Sequence, residues 1–375
     1  MTVPLAGTED HPHARVSLAA ALETGPSHAY LFHGPAGVGK RQAARSFAAE
    51  LLAQGAPEPD GVRHRVHVGT HPDLTWVRPT GAHVMRRADV AQAVVDAAGR
   101  TPFEASRRVF VLERVDALND EAANSLLKTL EEPASFVHLI LLTDSLGQVM
   151  ETVISRCQPV RFDPLPPARL AQALEAEGVE PGRALACARL ALGNGERARL
   201  LASEDGQGLL GDAGAMVRVA LGSSGDGGDA EPWQGLLARA EERREQAEAE
   251  VATARDERLD GEPKGRERTA LERQFEEMAK REGRRARTAV LDLGLTLVAL
   301  TLRDLICLAE GAPEAALDAD RARALAAEAG ERDTRRLRAA AERCEQARLA
   351  LTVNVTEDLA LEALGYRLAA LVGPR

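Results

Sequence analysis

The sequence predicts an α/β domain built on a parallel β-sheet with helices on both faces, followed by a small helical lid and an all-α C-terminal domain. Two patterns support this fold class. In residues 1–163, short apolar runs of strand length alternate with helical patterns, which is typical of parallel strands buried on both faces. In the last third of the chain, apolar residues recur at helical spacing instead. These stripes comprise Leu291, Leu295, Val298, Leu302 and Leu305, and then Leu361, Leu364, Leu368 and Leu371.

The α/β part contains five candidate strands and three candidate helices. The strands are short apolar runs, predicted at Ala29–His33, Leu74–Val77, Val109–Leu112, Leu139–Thr143 and Pro159–Phe162. The helices are predicted at Arg41–Ala53, Arg86–Ala98 and Asp120–Leu130. Asp120 is the expected N-cap of the third helix, because its carboxylate can accept hydrogen bonds from free backbone amides, and Pro133 follows the end of that helix.

Four segments are predicted along the chain: 1–163 is the α/β domain, 164–204 the lid, 205–285 a Gly-rich connector with a charged helical stretch, and 286–375 the C-terminal helical domain. A proline cluster at residues 164–167 marks the first boundary, and Gly222–Gly228 is a candidate flexible connector. Acidic and basic residues in Arg239–Arg287 have helix-supporting spacing. A solvated helical face is therefore favoured there over a basic recognition element, and the few apolar positions do not support a long coiled coil.

Composition excludes several classes of protein. The chain has 375 residues and a formal net charge of −10, so its overall field does not favour binding of free nucleic acid by this chain alone. Neither an uninterrupted apolar run of about 18 residues nor a basic-then-apolar N-terminus is present, so no membrane span or secretion signal is expected. The four cysteines lie far apart, which argues against a disulfide framework and indicates a reducing cytosol. We therefore expect a cytoplasmic protein.

A phosphate-binding loop follows the first strand. Residues 34–40 (GPAGVGK) lie between a candidate strand and a candidate helix, which is the context that the Walker A motif requires. Backbone amides of such a loop wrap phosphates, and Gly34, Gly37 and Gly39 allow close approach. Lys40 would add a charge near the outer phosphates, but the next residue, normally a Ser or Thr that holds Mg²⁺, is Arg41. Binding of ATP or ADP without hydrolysis and a vestigial, unliganded loop are both consistent with this pattern.

The strand Val109–Leu112 ends in Glu113-Arg114, where an active ATPase of this architecture carries a metal-binding Asp and a catalytic Glu. Glu113 could still reach a metal, although its longer side chain alters the geometry. Arg114 has no lone pair with which to activate a water molecule. Alternatively, the two residues form a surface-facing ion pair at the strand end. In either case the site lacks a general base, so the pattern predicts a degenerate Walker B motif without hydrolysis.

Two further strings lie downstream. NSLLKTLEEP occupies residues 124–133, and Ser155-Arg156-Cys157 precedes the last strand. By default, Arg156 is a surface residue or the partner of a carboxylate. Alternatively, it is an arginine finger that reaches the phosphates of a neighbouring subunit, where such a group raises the rate by roughly 10³–10⁵.

Together with HAYLFHGP at residues 28–35, these strings resemble the bacterial DNA polymerase III clamp-loader family, whose members are AAA+ proteins that load the ring-shaped sliding clamp onto primed DNA. The resemblance covers roughly the first 200 residues, and the helical C-terminus is consistent with the oligomerisation collar of that family. Its motor subunits, gamma and tau, keep a Thr after the Lys and an Asp-Glu pair at the second strand. Arg41 and Glu113-Arg114 instead resemble the rigid, non-hydrolysing delta-prime branch.

The resemblance implies an accessory subunit of a DNA polymerase holoenzyme that is not catalytic by itself and requires no cofactor. Its implied partners are gamma/tau and delta subunits in a hetero-oligomer, the sliding clamp, and primed DNA within the complex, but no membrane. It also implies that Arg156 acts in trans on the ATP of an adjacent motor subunit, with Ser155 and Cys157 framing it. Thr143 and Asp144 fall near the sensor-1 position without an assigned role. Arg197 is offset from the position of the sensor-2 arginine.

Family members often carry a four-cysteine zinc module between the first helix and the second strand, but residues 56–70 contain no cysteine. His64, His67 and His71 occur there at spacings that a metal could use. Three histidines without a thiolate or a well-placed carboxylate are a weak ligand set, so we expect no metal site and no zinc. The His71-Pro72-Asp73 string is expected to shape the entry to the second strand.

Two other functions compete with this interpretation. An active ATPase of gamma/tau type would use Glu113 for the metal, and it predicts turnover by the isolated chain. A P-loop kinase or transferase acting on a small molecule would need a metal-binding carboxylate and an acceptor base, and neither stands out in the sequence.

Overall fold

The computed structural model describes residues 5–78, 94–222, 231–259, 265–329, 333–351 and 356–373. The N-terminal part contains five strands, which are β1 (Ala29–His33), β2 (Leu74–Val77), β3 (Arg108–Leu112), β4 (Val137–Thr143) and β5 (Gln158–Arg161). They form one sheet in the order β2-β3-β4-β1-β5, and every neighbouring pair is parallel. Helices pack on both faces of this sheet, so the predicted fold class is confirmed.

The helices of this region are α1 (Pro12–Thr24), α2 (Lys40–Ala53), α3 (Pro59–Val68), α4 (Asp96–Ala98), α5 (Asp120–Glu131), α6 (Glu151–Ile154) and α7 (Pro167–Ala176). The sequence did not predict α1 and α3. Most of the predicted helix Arg86–Ala98 lies outside the described residues. The predicted N-cap of α5 was wrong by one position, because Asn119 accepts the hydrogen bond from the Ala122 amide at 2.9 Å through its side-chain oxygen.

The two faces of the sheet bury alternate residues of each strand, as the pleat requires. On one face, Tyr30 and Phe32 of β1 pack with Phe47 of α2; the Tyr30 and Phe47 ring centroids are 5.0 Å apart. On the other face, Leu31 of β1 packs in a second core with Leu126 of α5. All five of these side chains are fully buried. Burial on both faces explains why the strands read as continuous apolar runs in the sequence.

The structure divides into two compact units. The first is Met1–Leu170 with Leu192–Arg197, and the second is Ala171–Ala191 with Ala198–Arg375. The helices that follow α7 are α8 (Pro181–Leu190), α9 (Gly195–Ala202), α10 (Glu204–Ala220), α11 (Gln234–Leu259), α12 (Arg266–Ala309), α13 (Ala319–Ala329), α14 (Thr334–Leu351) and α15 (Glu357–Val372). The described part of the second unit contains helices and no strand.

The predicted leucine stripes are buried in the second unit except for Leu371, which is only partly buried, whereas the next residue, Val372, is buried. Leu291, Leu295 and Val298 of α12 are fully buried, and so is Leu361 of α15. The predicted boundary between residues 285 and 286 falls inside α12, which runs without a break from Arg266 to Ala309. The predicted connector at Gly222–Gly228 lies outside the described residues after Gly222. The four-segment division of the chain therefore stays a prediction.

The charged stretch Arg239–Arg287 forms most of α11 and the first half of α12. These two helices lie antiparallel, since Leu236 packs near Gly294 and Glu241 pairs with Arg287, while Glu248 packs against Gly283. A Cβ atom at Gly283 would lie 2.6 Å from the Glu248 carboxylate, so glycine permits this close approach. Small residues and ion pairs thus pack two highly charged helices together.

A helix that crosses a bilayer needs about 20 consecutive, mostly apolar residues. Among the described residues, no helix is both long enough and apolar enough to cross a membrane.

Candidate functional site

The phosphate-binding loop joins β1 to α2, as the sequence predicts. Its three glycines have positive φ angles of 144° at Gly34, 70° at Gly37 and 101° at Gly39, and Gly39 is the N-cap of α2. A Cβ atom at Gly34 would lie 1.9 Å from the carbonyl oxygen of Phe162, so no larger residue fits there. The strand, glycine-rich loop and helix therefore have the arrangement of a P-loop.

A second segment of the same unit covers the loop. The Gly195 amide donates a 2.9 Å hydrogen bond to the Gly37 carbonyl, and a Cβ atom at Gly37 would lie 1.8 Å from Oδ1 of Asn194. Asn194 also accepts a 2.8 Å hydrogen bond from the Arg197 amide at the start of α9. The sequence indicated only a helix break at Gly193-Asn194-Gly195 and gave no sign of this contact, which links residues far apart in the chain.

Lys40 is bound by its own loop. Its side chain is 6% exposed, and the ammonium donates to the carbonyl oxygens of Gly34 and Pro35. Nζ also lies 2.8 Å from Oδ1 of Asp144, which directly follows β4. Burial lowers the pKa of Lys40 below its usual value, although the hydrogen bond and the charge of Asp144 oppose this shift. The cation of the loop is thus satisfied within the chain.

Arg41 and Glu113 form an ion pair where a Walker site would hold a metal. Nε of Arg41 donates to Oε2 of Glu113 at 2.9 Å. The other oxygen, Oε1, accepts from Nε1 of Trp76 at 2.6 Å and from Nε of Arg78 at 3.1 Å. Glu113 is 4% exposed, so both of its oxygens are buried and hydrogen-bonded to nitrogen donors.

The interpretation of Glu113 and Arg114 as a surface-facing ion pair was wrong. Glu113 points into the protein, and Arg114 instead places Nη2 3.6 Å from Oδ2 of Asp116. Arg114 has a left-handed backbone conformation, with φ 55° and ψ 54°, which costs a non-glycine residue about 1–2 kcal/mol. This turn directs the chain away from the strand end directly after Glu113.

Asp116 is a residue of this site that sequence reasoning missed. Its side chain is 5% exposed, and Oδ1 accepts a 2.8 Å hydrogen bond from Oγ1 of Thr143. Its charge acts on Lys40 and opposes the lowering of the lysine pKa. Thr143 and Asp144, to which the sequence assigned no role, therefore connect the strand end to the loop lysine. The acidic residue two positions after Arg114 was the available signal.

Arg156 lies just after α6, and its guanidinium rests on its own chain. Nη1 donates to the Thr152 carbonyl oxygen at 2.9 Å and to Oγ of Ser155 at 3.3 Å. Nη2 lies 2.7 Å from Oε1 of Glu131 at the end of α5. The side chain is 35% exposed, so the guanidinium is partly accessible to solvent.

The two residues that flank Arg156 have different surroundings. The Ser155 hydroxyl is exposed and donates to the Thr152 carbonyl oxygen at 3.2 Å. Cys157 is buried in the core beside α5, and burial raises the pKa of its thiol to about 12. The cysteine is therefore a neutral packing residue, whereas the serine touches the guanidinium directly.

The three histidines of the candidate metal set do not converge on one point. His64 and His67 lie on α3 and are exposed, whereas the His71 side chain is buried. Nε2 of His71 lies 3.0 Å from Oε1 of Glu104, and Nδ1 accepts from the Asp73 amide at 3.2 Å. Within the described ranges, no group of three ligating side chains could hold a metal ion.

The His71-Pro72-Asp73 string leads into β2, as expected. The Asp73 carboxylate is fully buried and accepts hydrogen bonds from the amides of Phe103, Glu104 and Ala105 at 2.6–2.9 Å. Burial would raise the pKa of Asp73, but these three amides outweigh it and hold the pKa below its usual value. Asp73 therefore fixes the loop that leads into β3.

Known proteins match the N-terminal part of the chain. The profile of the family described as "DNA polymerase III, delta subunit" matches residues 11–166. DNA polymerase III subunit delta' of Bacillus subtilis (strain 168) is 36% identical over 159 residues, which are 41% of this chain and 48% of that protein. Subunit delta' of Pseudomonas aeruginosa is 38% identical over 164 residues, which are 41% of this chain and 50% of that protein.

The DNA polymerase III subunit tau of Bacillus subtilis (strain 168) is also similar, with 36% identity over 146 residues, which are 38% of this chain and 26% of that protein. The chain spans about half the length of the delta' relatives that it matches. The similarity covers the sheet, the phosphate-binding loop and the Ser155-Arg156-Cys157 string.

Proposed function

We propose that this chain, whose residues 11–166 match the profile described as "DNA polymerase III, delta subunit", is a delta-prime-type clamp-loader subunit that does not hydrolyse ATP itself. It acts as an accessory subunit of the polymerase holoenzyme, in a cytoplasmic hetero-oligomer with gamma/tau and delta subunits. That assembly loads the sliding clamp onto primed DNA. This chain completes the ring of subunits and supplies Arg156 in trans to the ATP of a neighbouring motor subunit.

The observation that carries the proposal is the ion pair between Arg41 and Glu113. Mg²⁺ in P-loop NTPases is held by the hydroxyl after the lysine and by an acidic residue at the second strand. Here the first position is a guanidinium, and the second is bonded to Arg41, Trp76 and Arg78. A dication about 4 Å from a guanidinium is repelled by roughly 8 kcal/mol at an effective dielectric constant of about 20. The arginines therefore occupy the place of the metal.

Among its described residues, the site also lacks a group that could activate a water molecule for attack on ATP. Arg114 has no lone pair, and its guanidinium is directed toward Asp116. Two further carboxylates of the site are already engaged, since Asp116 accepts from Thr143 and Asp144 pairs with Lys40. These contacts support a loop that keeps its shape, with or without bound ATP or ADP, and does not split the nucleotide.

The surroundings of Arg156 support its proposed role as an arginine finger toward the ATP of a neighbouring subunit. Its guanidinium is partly exposed and contacts its own chain through hydrogen bonds and an ion pair that all lie at the surface. An always-charged, planar donor at an accessible position is suited to stabilise the charge that develops on a transferring phosphoryl group. No second nucleotide contact from this chain is needed for that effect.

The test of the finger is Arg156→Ala in a reconstituted clamp loader. We expect the ATPase rate of the assembly to fall, while the subunits still assemble, because only the charge facing the neighbour's ATP is lost. Arg161→Ala is the matched control, since Arg161 is an exposed arginine that pairs only with the nearby Asp163 among the described residues. An unchanged ATPase rate in Arg156→Ala would remove the finger role.

The rival function, an active ATPase of gamma/tau type, draws its support from the similarity to the tau subunit. It predicts that the purified chain hydrolyses ATP and that Lys40→Ala abolishes this turnover. We expect no ATP hydrolysis by the purified chain above the level of Lys40→Ala. Turnover at the rate of a motor subunit would overturn the non-hydrolysing assignment, and a phosphorylated small molecule would instead establish a kinase.

A further inference from the structure

Glu131 is the acidic residue that faces Arg156, and the proposed function gives it no role. It is the last residue of α5, within the NSLLKTLEEP string, and its side chain is 50% exposed. Its Oε1 lies 2.7 Å from Nη2 of Arg156. Across the described residues, Arg156 is the one cation paired with this carboxylate.

The three contacts of Arg156 fix the plane of its guanidinium. Thr152 and Ser155 take the two hydrogens of Nη1, and Glu131 holds Nη2 from a different element of the fold. Nε has no acceptor within the described part of the chain, so its N–H group is available to a phosphate oxygen. A guanidinium offers five N–H donors in a fixed fork, so holding one end of the fork sets the direction of the other.

We propose that Glu131 is a positioning residue for Arg156, an inference that rests on the proposed role of Arg156 as an arginine finger. An arginine side chain loses substantial rotamer freedom when it binds, and a preoriented donor avoids that loss at the moment of reaction. Glu131 holds the guanidinium with its free donor edge outward. The carboxylate itself does not touch the neighbour's nucleotide.

The size of the effect follows from the exposure of the pair. Ion pairs with both partners this exposed are weak, and their measured strengths correspond to roughly 1.5- to 5-fold changes in an equilibrium or rate. Loss of Glu131 should therefore lower turnover of the neighbouring site by about two- to five-fold at saturating ATP. The KM for ATP should stay unchanged, because a finger acts in the transition state and not on ground-state binding.

The experiment is a double-mutant cycle in the reconstituted loader, with wild type, Glu131→Ala, Arg156→Ala and the double variant. We expect Glu131→Ala to lower kcat two- to five-fold in the wild-type background and to have no effect in the Arg156→Ala background. Glu131→Gln should recover most of the loss, since its amide oxygen can still accept from Nη2. Glu132→Ala is the matched control, because Glu132 is the next residue, is equally acidic and exposed, and has no side-chain partner within the described ranges.

The outcomes separate the two proposals. If Glu131→Ala lowers kcat equally in both backgrounds, or leaves it unchanged while Arg156→Ala lowers it, Glu131 does not act through Arg156 and the positioning role is lost. If Glu131→Ala raises kcat, the carboxylate restrains the finger and the inference is overturned. If Arg156→Ala itself has no effect, the finger role in the proposed function fails first.

Discussion

Replacing Glu113 by alanine is expected to destabilise the N-terminal unit by about 2–5 kcal/mol. The largest part comes from Trp76, whose partly buried hydrogen bond to a carboxylate oxygen is 2.6 Å long and is of the kind worth about 1.5–3 kcal/mol. The pairs with Arg41 and Arg78 add less, about 0.2–1 kcal/mol each, because these side chains are 61% and 54% exposed and stay hydrated when the carboxylate is removed.

The assay is equilibrium urea unfolding followed by tryptophan fluorescence. The chain has two tryptophans, so a Trp233→Phe background leaves Trp76, the partner of Glu113, as the reporter. Glu113→Gln should lose clearly less stability than Glu113→Ala, since its amide oxygen still accepts from the indole. Glu132→Ala, an exposed acid, serves as the control and should change stability by less than about 0.5 kcal/mol.

A loss below about 0.5 kcal/mol in Glu113→Ala would refute this reasoning. It would mean that the Glu113 carboxylate does not stabilise the fold and is therefore available to a metal. The arginines would then not take the place of Mg²⁺ at this site.

Two further predictions concern backbone space and thiol chemistry. Gly34→Ala should prevent stable folding of the N-terminal unit, because its Cβ atom would meet the Phe162 carbonyl oxygen at 1.9 Å. Gly25 has a φ of 113°, but a Cβ atom there would meet nothing within 4 Å, so Gly25→Ala should lower the free energy of unfolding in urea by only about 1–2 kcal/mol. Equal losses would contradict this. A thiol reagent at pH 8 should label the half-buried Cys307 and spare Cys157, whose pKa burial raises from 9.0 to about 12. Rapid labelling of Cys157 in the folded protein would refute its burial. Because the pKa of this thiol is higher in the folded state than in the unfolded state, the stability that Cys157 contributes is complete below pH 9 and is lost as the pH rises toward 12.

The sheet was predictable because its signal is local. All five strands end within one or two residues of their predicted positions, and the central strands β1, β3 and β4 are short, mainly apolar runs because burial on both faces demands apolar side chains. The helices α1 and α3 gave a weaker signal: they bury few side chains, mainly Ala14, Leu18 and Ala21 in α1 and Val62 and Val66 in α3. Adjacent Asn119 and Asp120 are both good N-caps, so propensity alone could not choose between them.

The site was predictable in its parts and not in its pairings. The sequence identified Lys40 as the lysine of a phosphate-binding loop, and Arg41 and Glu113 as departures from a working motif, because each occupies a fixed position relative to a strand. That Arg41 bonds to Glu113 depends on a fold that joins residues 72 positions apart. The contact of Arg156 with Glu131 is of the same kind. Pairings of this sort are set by tertiary structure, and a single sequence carries no direct record of them.

The ammonium of Lys40 donates to two carbonyl oxygens of its own loop, and these bonds bear on whether the loop needs a ligand to fold. In a loop of this type the lysine reaches the phosphates of a bound nucleotide. Here the chain itself supplies the contacts of the ammonium. We therefore expect the loop to fold in the same way with and without nucleotide. Removing nucleotide should therefore leave the shape of this loop unchanged.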